Sequence, residues 1–433
     1  MPKIVFMGAG STVFAKNVVG DCMMTPSLRD SEIALYDIDP VRLSDSEKML
    51  TNLGRKAGGR ATIHAYGEKD RKEALKGADF VVNAIQVGGY EPCTVIDFEV
   101  PKNYGLRQTI ADTLGIGGIF RALRTIPVML DFARDMEKVC PEALFINYTN
   151  PMAMVTGAVQ RATGIRTVGL CHSVQFCAQT LLQGVGMEYK DTRWKIAGIN
   201  HQGWLLEIAR DGKDLYPEIK ERSRAGKVPD GDRVRHEIMH RFGYYVTESS
   251  EHSSEYMPYF IKSQYPELIQ KFNIPLDEYP RRCVSQIEDW EKMRDILVNN
   301  EDVTHQRTHE YASYIMEAIM TDTLFKIGGN VLNAGLITNL PKEACVEIPC
   351  VVDGSGITPC FVGDLPPQCA ALNMTNVNVQ LLTVEAALTG RKDHVYQAAM
   401  LDPHTSAELP IDKIVALCDD LIAAHGSWLP SLS

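Results

Sequence analysis

The first two-fifths of the chain alternates short apolar runs with longer helix-like stretches, and this alternation constrains the fold more than any other feature. Each apolar run ends in glycine or in polar turn residues. Such alternation is typical of a parallel β-sheet covered by helices on both faces. We therefore predict a doubly wound parallel sheet in an N-terminal domain of residues 1–195. The apolar runs are "KIVFMG", "EIALYDID", "DFVVNAIQVGG", "ALFINYTNP" and "TVGLCHS"; the helix-like stretches include "PVRLSDSEKMLTNLGRKA" and "GGIFRALRTIPVMLDFARDMEKV".

The pattern changes after about residue 195, where short strands and charged helices follow without regular alternation. We predict a C-terminal mixed α/β domain over residues 196–433, packed on the first domain. The charged stretch 221–232, which contains glycine and proline, is predicted to be an exposed loop. The segments "CVEIPCVVD" and "CFVGDLP" are predicted strands, and "NVQLLTVEAAL" and "KIVALCDDLIAAHG" are predicted helices.

Charge and hydropathy exclude two classes of partner. The formal net charge of -11 argues against a nucleic-acid surface, which is usually basic. No apolar run reaches the roughly 18 residues needed to cross a bilayer. The start "MPKIVFMGAG" lacks the features of a signal peptide, so we expect a cytoplasmic location. The eleven cysteines are scattered singly, and we expect free thiols.

The segment "GAGSTVF" follows the first predicted strand and opens a helix. Gly8 would form the tight turn, and Gly10 would let the backbone approach a pyrophosphate at the helix N-terminus. The hydroxyls of Ser11 and Thr12 could add contacts. Val13 stands where the usual fingerprint has its third glycine, so the match is incomplete. The context still favours a Rossmann-like domain that binds a nicotinamide dinucleotide.

An acidic residue after the second strand indicates which dinucleotide this is. Asp37 in "ALYDID" could accept both ribose hydroxyls of NAD⁺ and would repel the extra phosphate of NADP⁺; Asp39 is the alternative. Asn83, at the end of another predicted strand, could line the same crevice.

Cys171 in "VGLCHSVQ" and His201 in "GINHQGW" each lie near the end of a predicted strand. A thiolate and an imidazole brought together there would leave coordination positions open, as a catalytic metal ion requires. Otherwise both are ordinary core residues. His172 would point away from Cys171 in a strand, or towards the same ligand if the chain turns. The amide of Asn150 in "NYTNP" could bind sugar hydroxyls, or it could belong to a simple turn before a helix.

Two other pairs have more ordinary interpretations. Asp112 and Arg121 either shape the pocket or form a helix cap and a salt bridge. His305 and His309 have the i, i+4 spacing of a helix, and we interpret them as a solvated helix face.

Taken together, these segments resemble glycoside hydrolase family 4, and within it the α-galactosidase branch. The resemblance covers nearly the whole chain and consists of long matches in the same order. They are "GAGSTVFAKNVVGD", "ALYDIDP", "QVGGYEPCTVIDFEVPKNYGL", "QTIADTLGIGGIFRALRTIP", "NYTNPMAM", "GLCHSVQ", "AGINH", "GYYVTESSEHSSEY", "PLDEYPRRC" and "MLDPHTSAEL".

The resemblance implies tightly bound NAD⁺ and a divalent transition metal, usually Mn²⁺. It assigns the metal ligands to Cys171 and His201 and substrate binding to Asn150. It further implies that the C-terminal domain contributes substrate, metal and subunit contacts in a homodimer or homotetramer.

The resemblance also implies acid–base residues. The base corresponds to Tyr256, although Glu255, Tyr259 and His252 are nearby alternatives. Members that cleave phosphorylated sugars have an aspartate acid after the metal-binding cysteine, and this chain has His172 there. The difference favours an unphosphorylated sugar and makes His172 the candidate acid.

The implied reaction is hydrolysis of α-galactosides such as melibiose, through transient oxidation at C3, deprotonation at C2, elimination and water addition. The alternatives are another α-glycosidase activity of the family, acting on glucosides, glucuronides or galacturonides, and a plain NAD-dependent hydroxy-acid dehydrogenase. A dinucleotide-sensing protein without turnover is a third.

Overall fold

The structure, a computed structural model, describes residues 1–433, and one sheet of thirteen strands runs through it. The strands are β1 (Lys3–Met7), β2 (Glu32–Tyr36), β3 (Thr62–Tyr66), β4 (Phe80–Asn83), β5 (Leu144–Asn147), β6 (Thr167–Gly169), β7 (Arg193–Ile199), β8 (Gln202–Arg210), β9 (Lys213–Asp214), β10 (Tyr245–Val246), β11 (Phe325–Leu332), β12 (Cys345–Asp353) and β13 (Gly356–Pro359).

Six strands form the predicted parallel sheet, in the order β3-β2-β1-β4-β5-β6. This is the strand order of a dinucleotide-binding Rossmann fold, in which ligands lie beyond the carboxyl ends of the strands where the order reverses. The predicted fold class is confirmed. The strand order reverses between β1 and β4, and the glycine turn at Gly8 directly follows the carboxyl end of β1.

The helices cover both faces of this sheet. Two helices predicted from the sequence, α2 and α5, agree with the predicted stretches to within two residues. The helices are α1 (Val13–Met24), α2 (Pro40–Ala57), α3 (Arg71–Leu75), α4 (Val95–Lys102), α5 (Gly115–Val139), α6 (Met152–Ala162), α7 (His172–Gly184), α8 (Tyr216–Arg224), α9 (Arg233–Phe242), α10 (Ser250–Glu255), α11 (Glu267–Phe272), α12 (Glu278–Val298), α13 (Tyr311–Thr321), α14 (Pro367–Thr389), α15 (Lys392–Leu401), α16 (Pro403–Glu408) and α17 (Ile411–His425).

The second half of the chain extends the same sheet. Antiparallel pairing joins β11 to β6, and the order continues β11-β12-β7-β8-β10. The C-terminal part is therefore mixed α/β, as predicted. The boundary proposed at residue 195 lies inside β7 and stays a prediction.

One local prediction was wrong, and the start of a predicted loop needs correction. The segment "CFVGDLP" is not a strand: the amides of Val362 and Gly363 both donate to the Leu336 carbonyl oxygen (2.9 and 3.1 Å), which a regular ladder does not allow. The predicted loop at 221–232 begins only after Arg224, because α8 continues to that residue.

The larger of two hydrophobic clusters has 91 buried residues and extends from Ile4 in β1 to Leu421 in α17, so both halves of the chain contribute to it. The smaller cluster has 15 buried residues, between Val174 and Tyr245. None of the helices has the length and apolar character required to span a bilayer.

Candidate active site

The glycine turn after β1 is shaped by contacts that only glycine allows. Gly8 has φ 88°, and a Cβ there would lie 2.8 Å from the Ala84 carbonyl oxygen. A Cβ on Gly10 would lie 2.8 Å from Asp37 Oδ2, and the Gly10 amide donates to that same oxygen (2.6 Å). Asp39 instead caps α2 by accepting from two backbone amides of that helix. Of the two acidic candidates, Asp37 is therefore the one that faces the turn.

The other predicted dinucleotide contacts lie around the same crevice. Ser11 Oγ is buried and has no hydrogen-bond partner. Thr12 is buried with φ 39°, and Val13 is 40% exposed at the start of α1. Asn83 is fully buried; its Nδ2 donates to Asn147 Oδ1 (2.9 Å), whereas its Oδ1 has no partner.

Cys171 and His201 come together, and a third residue joins them. Cys171 lies between β6 and α7, and His201 occupies the tight turn between β7 and β8. Donor atoms of Cys171, His201 and Glu248 all lie within 4.8 Å of one another. Glu248 Oε2 is 3.3 Å from His201 Nε2 and 3.7 Å from Cys171 Sγ.

Two of these three residues hold strained backbones. His201 has φ 62° and Glu248 has φ 65°. A residue other than glycine in this region costs roughly 1–3 kcal/mol, and such strain concentrates at functional sites. The strain is therefore a second indication that these side chains are held in place for a ligand.

The charge balance at this cluster suits a cation. Burial lowers the pKa of His201 to about 4, so its imidazole is neutral and free to coordinate. Burial pushes the pKa of Glu248 upwards, but His201 and His252 outweigh it and bring the pKa down to about 2. Burial, Glu248 and Glu347 raise the pKa of the Cys171 thiol well above its usual value. A bound metal ion would displace that proton.

A second layer of polar groups adjoins the cluster. Asn150 Nδ2 donates to Asp112 Oδ2 (2.9 Å), and His252 Nε2 lies 3.5 Å from Asp112 Oδ1. His252 Nδ1 lies 3.6 Å from Glu248 Oε1. Burial opposes the charge on His252, yet Glu248 and Asp112 raise its pKa to about 9. The predicted sugar-binding amide is therefore linked to the Glu248 carboxylate through Asp112 and the charged imidazole of His252.

Tyr256 lies against the cluster, with its ring centroid 6.3 Å from that of His201. Its hydroxyl is buried and has no hydrogen-bond partner. Burial and the anionic groups of Asp112 and Glu248 raise its pKa well above the usual value, whereas a base needs a lowered one. The protein groups alone therefore do not lower the pKa of Tyr256, as its predicted role of base would require.

The alternative bases have other partners. One Glu255 oxygen accepts from the amides of Thr109 (2.5 Å) and Ile110 (3.1 Å), which anchors the loop before Asp112. Tyr259 is 51% exposed and stacks on Phe242, in an open cavity of about 410 Å³ on the surface. His252 remains beside the cluster as described.

His172 is the first residue of α7, and its ring centroid lies 5.9 Å from that of Tyr148 and 6.4 Å from that of Tyr311. Its Nε2 lies 2.7 Å from Glu310 Oε2. The Glu310 hydrogen bond raises the pKa of His172 above its usual value. Neither Glu248 nor Glu310 was predicted from the sequence, because single carboxylates in loops follow no periodic pattern. The positive φ angles of His201 and Glu248 are likewise visible only in the structure.

The interpretation of His305 and His309 as a helix face was wrong. Residues 303–310 form no helix. His305 Nε2 lies 2.6 Å from Asp21 Oδ1 in α1, and both side chains are buried. His309 packs edge-on against Phe176. The i, i+4 spacing arose by chance in an extended segment.

The family comparison agrees with this geometry. Residues 3–187 match the family 4 glycosyl hydrolase model, and residues 196–405 match the C-terminal domain of the same family. The chain belongs to glycoside hydrolase family 4. The resemblance inferred from the sequence motifs is confirmed.

Relatives of this family 4 chain include an α-galactosidase of Bacillus subtilis, 63% identical, with 99% of each chain covered. A candidate glucosidase of known structure, also from Bacillus subtilis, is 25% identical with a TM-score of 0.87, covering 97% of this chain and 99% of that one. A 6-phospho-α-glucosidase from gut microorganisms, crystallised with NAD and Mn²⁺, has a TM-score of 0.80 at 20% identity over both whole chains.

The residues of this family 4 chain fit both groups that the family implies. The glycine turn, the unpartnered Ser11 hydroxyl and the Asp37 carboxylate suit a dinucleotide. The sulfur, nitrogen and oxygen donors of Cys171, His201 and Glu248 suit a divalent transition metal.

Proposed function

We propose that this chain is an α-galactosidase that uses NAD⁺ and a divalent metal, Mn²⁺ foremost, on unphosphorylated α-galactosides such as melibiose. The observation that carries the proposal is the convergence of Cys171, His201 and Glu248 beside Tyr256. Cys171 directly follows β6, and a dinucleotide fold binds its ligand beyond the carboxyl ends of its parallel strands. The 63% identity to an α-galactosidase over 99% of both chains supports the choice of sugar.

When bound, NAD⁺ supplies a reversible hydride acceptor for sugar C3, and the metal ion supplies Lewis acidity at the sugar hydroxyls. Cys171, His201 and Glu248 would hold the ion. Asn150 binds a sugar hydroxyl, oriented by its hydrogen bond to Asp112.

Proton transfers fall to two residues of the chain. Tyr256, whose hydroxyl has no competing partner, removes the proton from C2. His172 donates a proton to the departing glycosidic oxygen, and Glu310 holds the imidazole in place and favours its charged form. The remaining dinucleotide contacts are assigned to Gly8, Gly10, Ser11, Thr12, Asp37 and Asn83.

The test is hydrolysis of an aryl α-galactoside by purified protein, with and without NAD⁺, Mn²⁺ and a thiol reductant. We expect sugar release only when all three are present, no net NADH, and a slower rate with deuterium at C2 or exchange of that deuterium with solvent. Net NADH from a hydroxy acid would indicate the dehydrogenase instead. Full turnover by protein stripped of its dinucleotide would refute the proposal.

Two features stay predictions from the sequence: the cytoplasmic location and the assembly into a homodimer or homotetramer. Sedimentation of the purified protein at several concentrations measures the second directly.

A further inference from the structure

A row of four residues crosses the sheet between the two strands that lead into the sulfur and imidazole ligands. Gly169 of β6 pairs with Asn330 of β11, and Asn330 pairs with Glu347 of β12. Glu347 in turn pairs with Gly198 of β7. Two strands therefore separate β6 from β7, which places them about 14 Å apart at about 4.8 Å per strand.

The two side chains of this row, Asn330 and Glu347, are hydrogen-bonded to each other and to both segments that lead to the ligands. Glu347 Oε1 accepts from Asn330 Nδ2 (2.9 Å) and from Asn200 Nδ2 (3.3 Å). Asn330 Nδ2 also lies 3.3 Å from the Gly169 carbonyl oxygen, to which it donates. Glu347, Asn330 and Asn200 are completely buried. One carboxylate oxygen thus joins the end of β6, two residues before Cys171, to the residue that precedes His201.

A buried carboxylate in this place needs an explanation other than stability. Burying a carboxyl group is costly unless both of its oxygens are hydrogen-bonded, and Glu347 Oε2 has no partner. Burial raises the pKa of Glu347 to about 7. An apolar residue would fill the same position in the sheet at lower cost.

We propose that Glu347 is a positioning residue that fixes the separation of Cys171 and His201 through the amides of Asn330 and Asn200. The inference rests on the metal site of the proposed function. Groups behind metal ligands orient those ligands, and their loss typically weakens metal binding by about 10- to 100-fold.

The experiment measures Mn²⁺ binding to the full chain by electron paramagnetic resonance of the free ion, without substrate. The variants are Glu347→Leu, which removes the acceptor, and Glu347→Gln, which keeps Oε1. Asn333→Leu is the control for general destabilisation, because the Asn333 side chain binds only backbone groups of its own turn: Nδ2 donates to the carbonyl oxygens of Ile337, Leu340 and Pro341, and Oδ1 accepts from the Ile337 amide. Thermal unfolding is recorded for each protein, and the Co²⁺-substituted proteins are compared by their visible absorption spectra.

We expect Glu347→Leu to weaken Mn²⁺ binding by about 10- to 100-fold and to alter the Co²⁺ spectrum. Glu347→Gln should retain most of the wild-type affinity, and Asn333→Leu should lose stability without losing metal affinity. Wild-type affinity in Glu347→Leu, or an equal loss in Glu347→Gln or Asn333→Leu, overturns the role of Glu347. If the wild-type protein does not bind Mn²⁺, the proposed metal site is refuted, and the proposed role of Glu347 is refuted with it.

Discussion

At the scale of single residues, Glu248 supplies the oxygen donor that the proposed Mn²⁺ site would otherwise lack. A thiolate and an imidazole suit Mn²⁺ less well than oxygen donors do, and Glu248 adds a carboxylate oxygen to the cluster. We expect Glu248→Gln to weaken Mn²⁺ binding at least about tenfold, measured by isothermal titration. Glu251→Gln is the matched control, since the Glu251 carboxylate pairs with Arg282 at the surface. Equal affinities in the two variants would exclude Glu248 as a ligand.

The pairing of His172 with Glu310 gives a prediction about leaving groups. A general acid matters most when the leaving oxygen is basic, and such catalysis is typically worth about 10²–10⁴-fold. His172→Ala should lose activity in that range on melibiose and far less on a nitrophenyl galactoside. Glu310→Gln should show the same selectivity with a smaller loss, because it keeps the imidazole but not the carboxylate that orients it. Steady-state kcat/KM on both substrates checks this, and uniform losses would remove His172 from the acid role.

At the scale of elements, the extended segment 303–310 links helix α1 to His172. Asp21 of α1 accepts hydrogen bonds from the Thr308 amide (2.8 Å) and hydroxyl (2.6 Å), besides its contact with His305. Two residues further on, the segment presents Glu310 to His172. Asp21 thus attaches helix α1 to the segment that holds Glu310 against His172.

Removal of that attachment should be costly. Breaking a buried pair by deleting one partner typically costs about 3–5 kcal/mol, so Asp21→Ala should lower the free energy of unfolding by roughly that amount in a denaturant titration. Asp302→Ala, which removes an exposed partner of Lys56, is the control and should leave stability unchanged. If both variants lost a similar free energy of unfolding, the Asp21 contacts would stabilise the protein no more than an exposed ion pair does.

At the scale of the whole molecule, local patterns predicted the parallel half of the sheet and little of how the rest joins it. The glycine turn and the acidic residue after β2 are close in sequence, so their spacing was enough to predict dinucleotide binding. The meeting of Cys171 and His201 depends instead on β11 and β12, which lie more than a hundred residues later and enter the sheet between β6 and β7. Glu347 belongs to one of those strands, and no pattern within its own segment connects it to a site.

The continuity of the sheet predicts that the chain unfolds as one unit. Helices α14, α15 and α17 of the second half pack on α4, α5 and α6 of the first, and β11 covers the edge of β6. A fragment of residues 1–195 would expose that helical face, leave β6 as an open edge and cut β7 after its third residue.

We therefore expect one calorimetric transition for the full chain and an aggregating, poorly structured 1–195 fragment. The fragment is compared with the intact chain by near-ultraviolet circular dichroism, which reports fixed tertiary packing. Two separated heat-absorption peaks, or a fragment that folds and binds NAD⁺ alone, would mean that the halves are independent domains. Because Cys171 precedes that boundary whereas His201 and Glu248 follow it, the proposed metal ligands come together only in the intact chain.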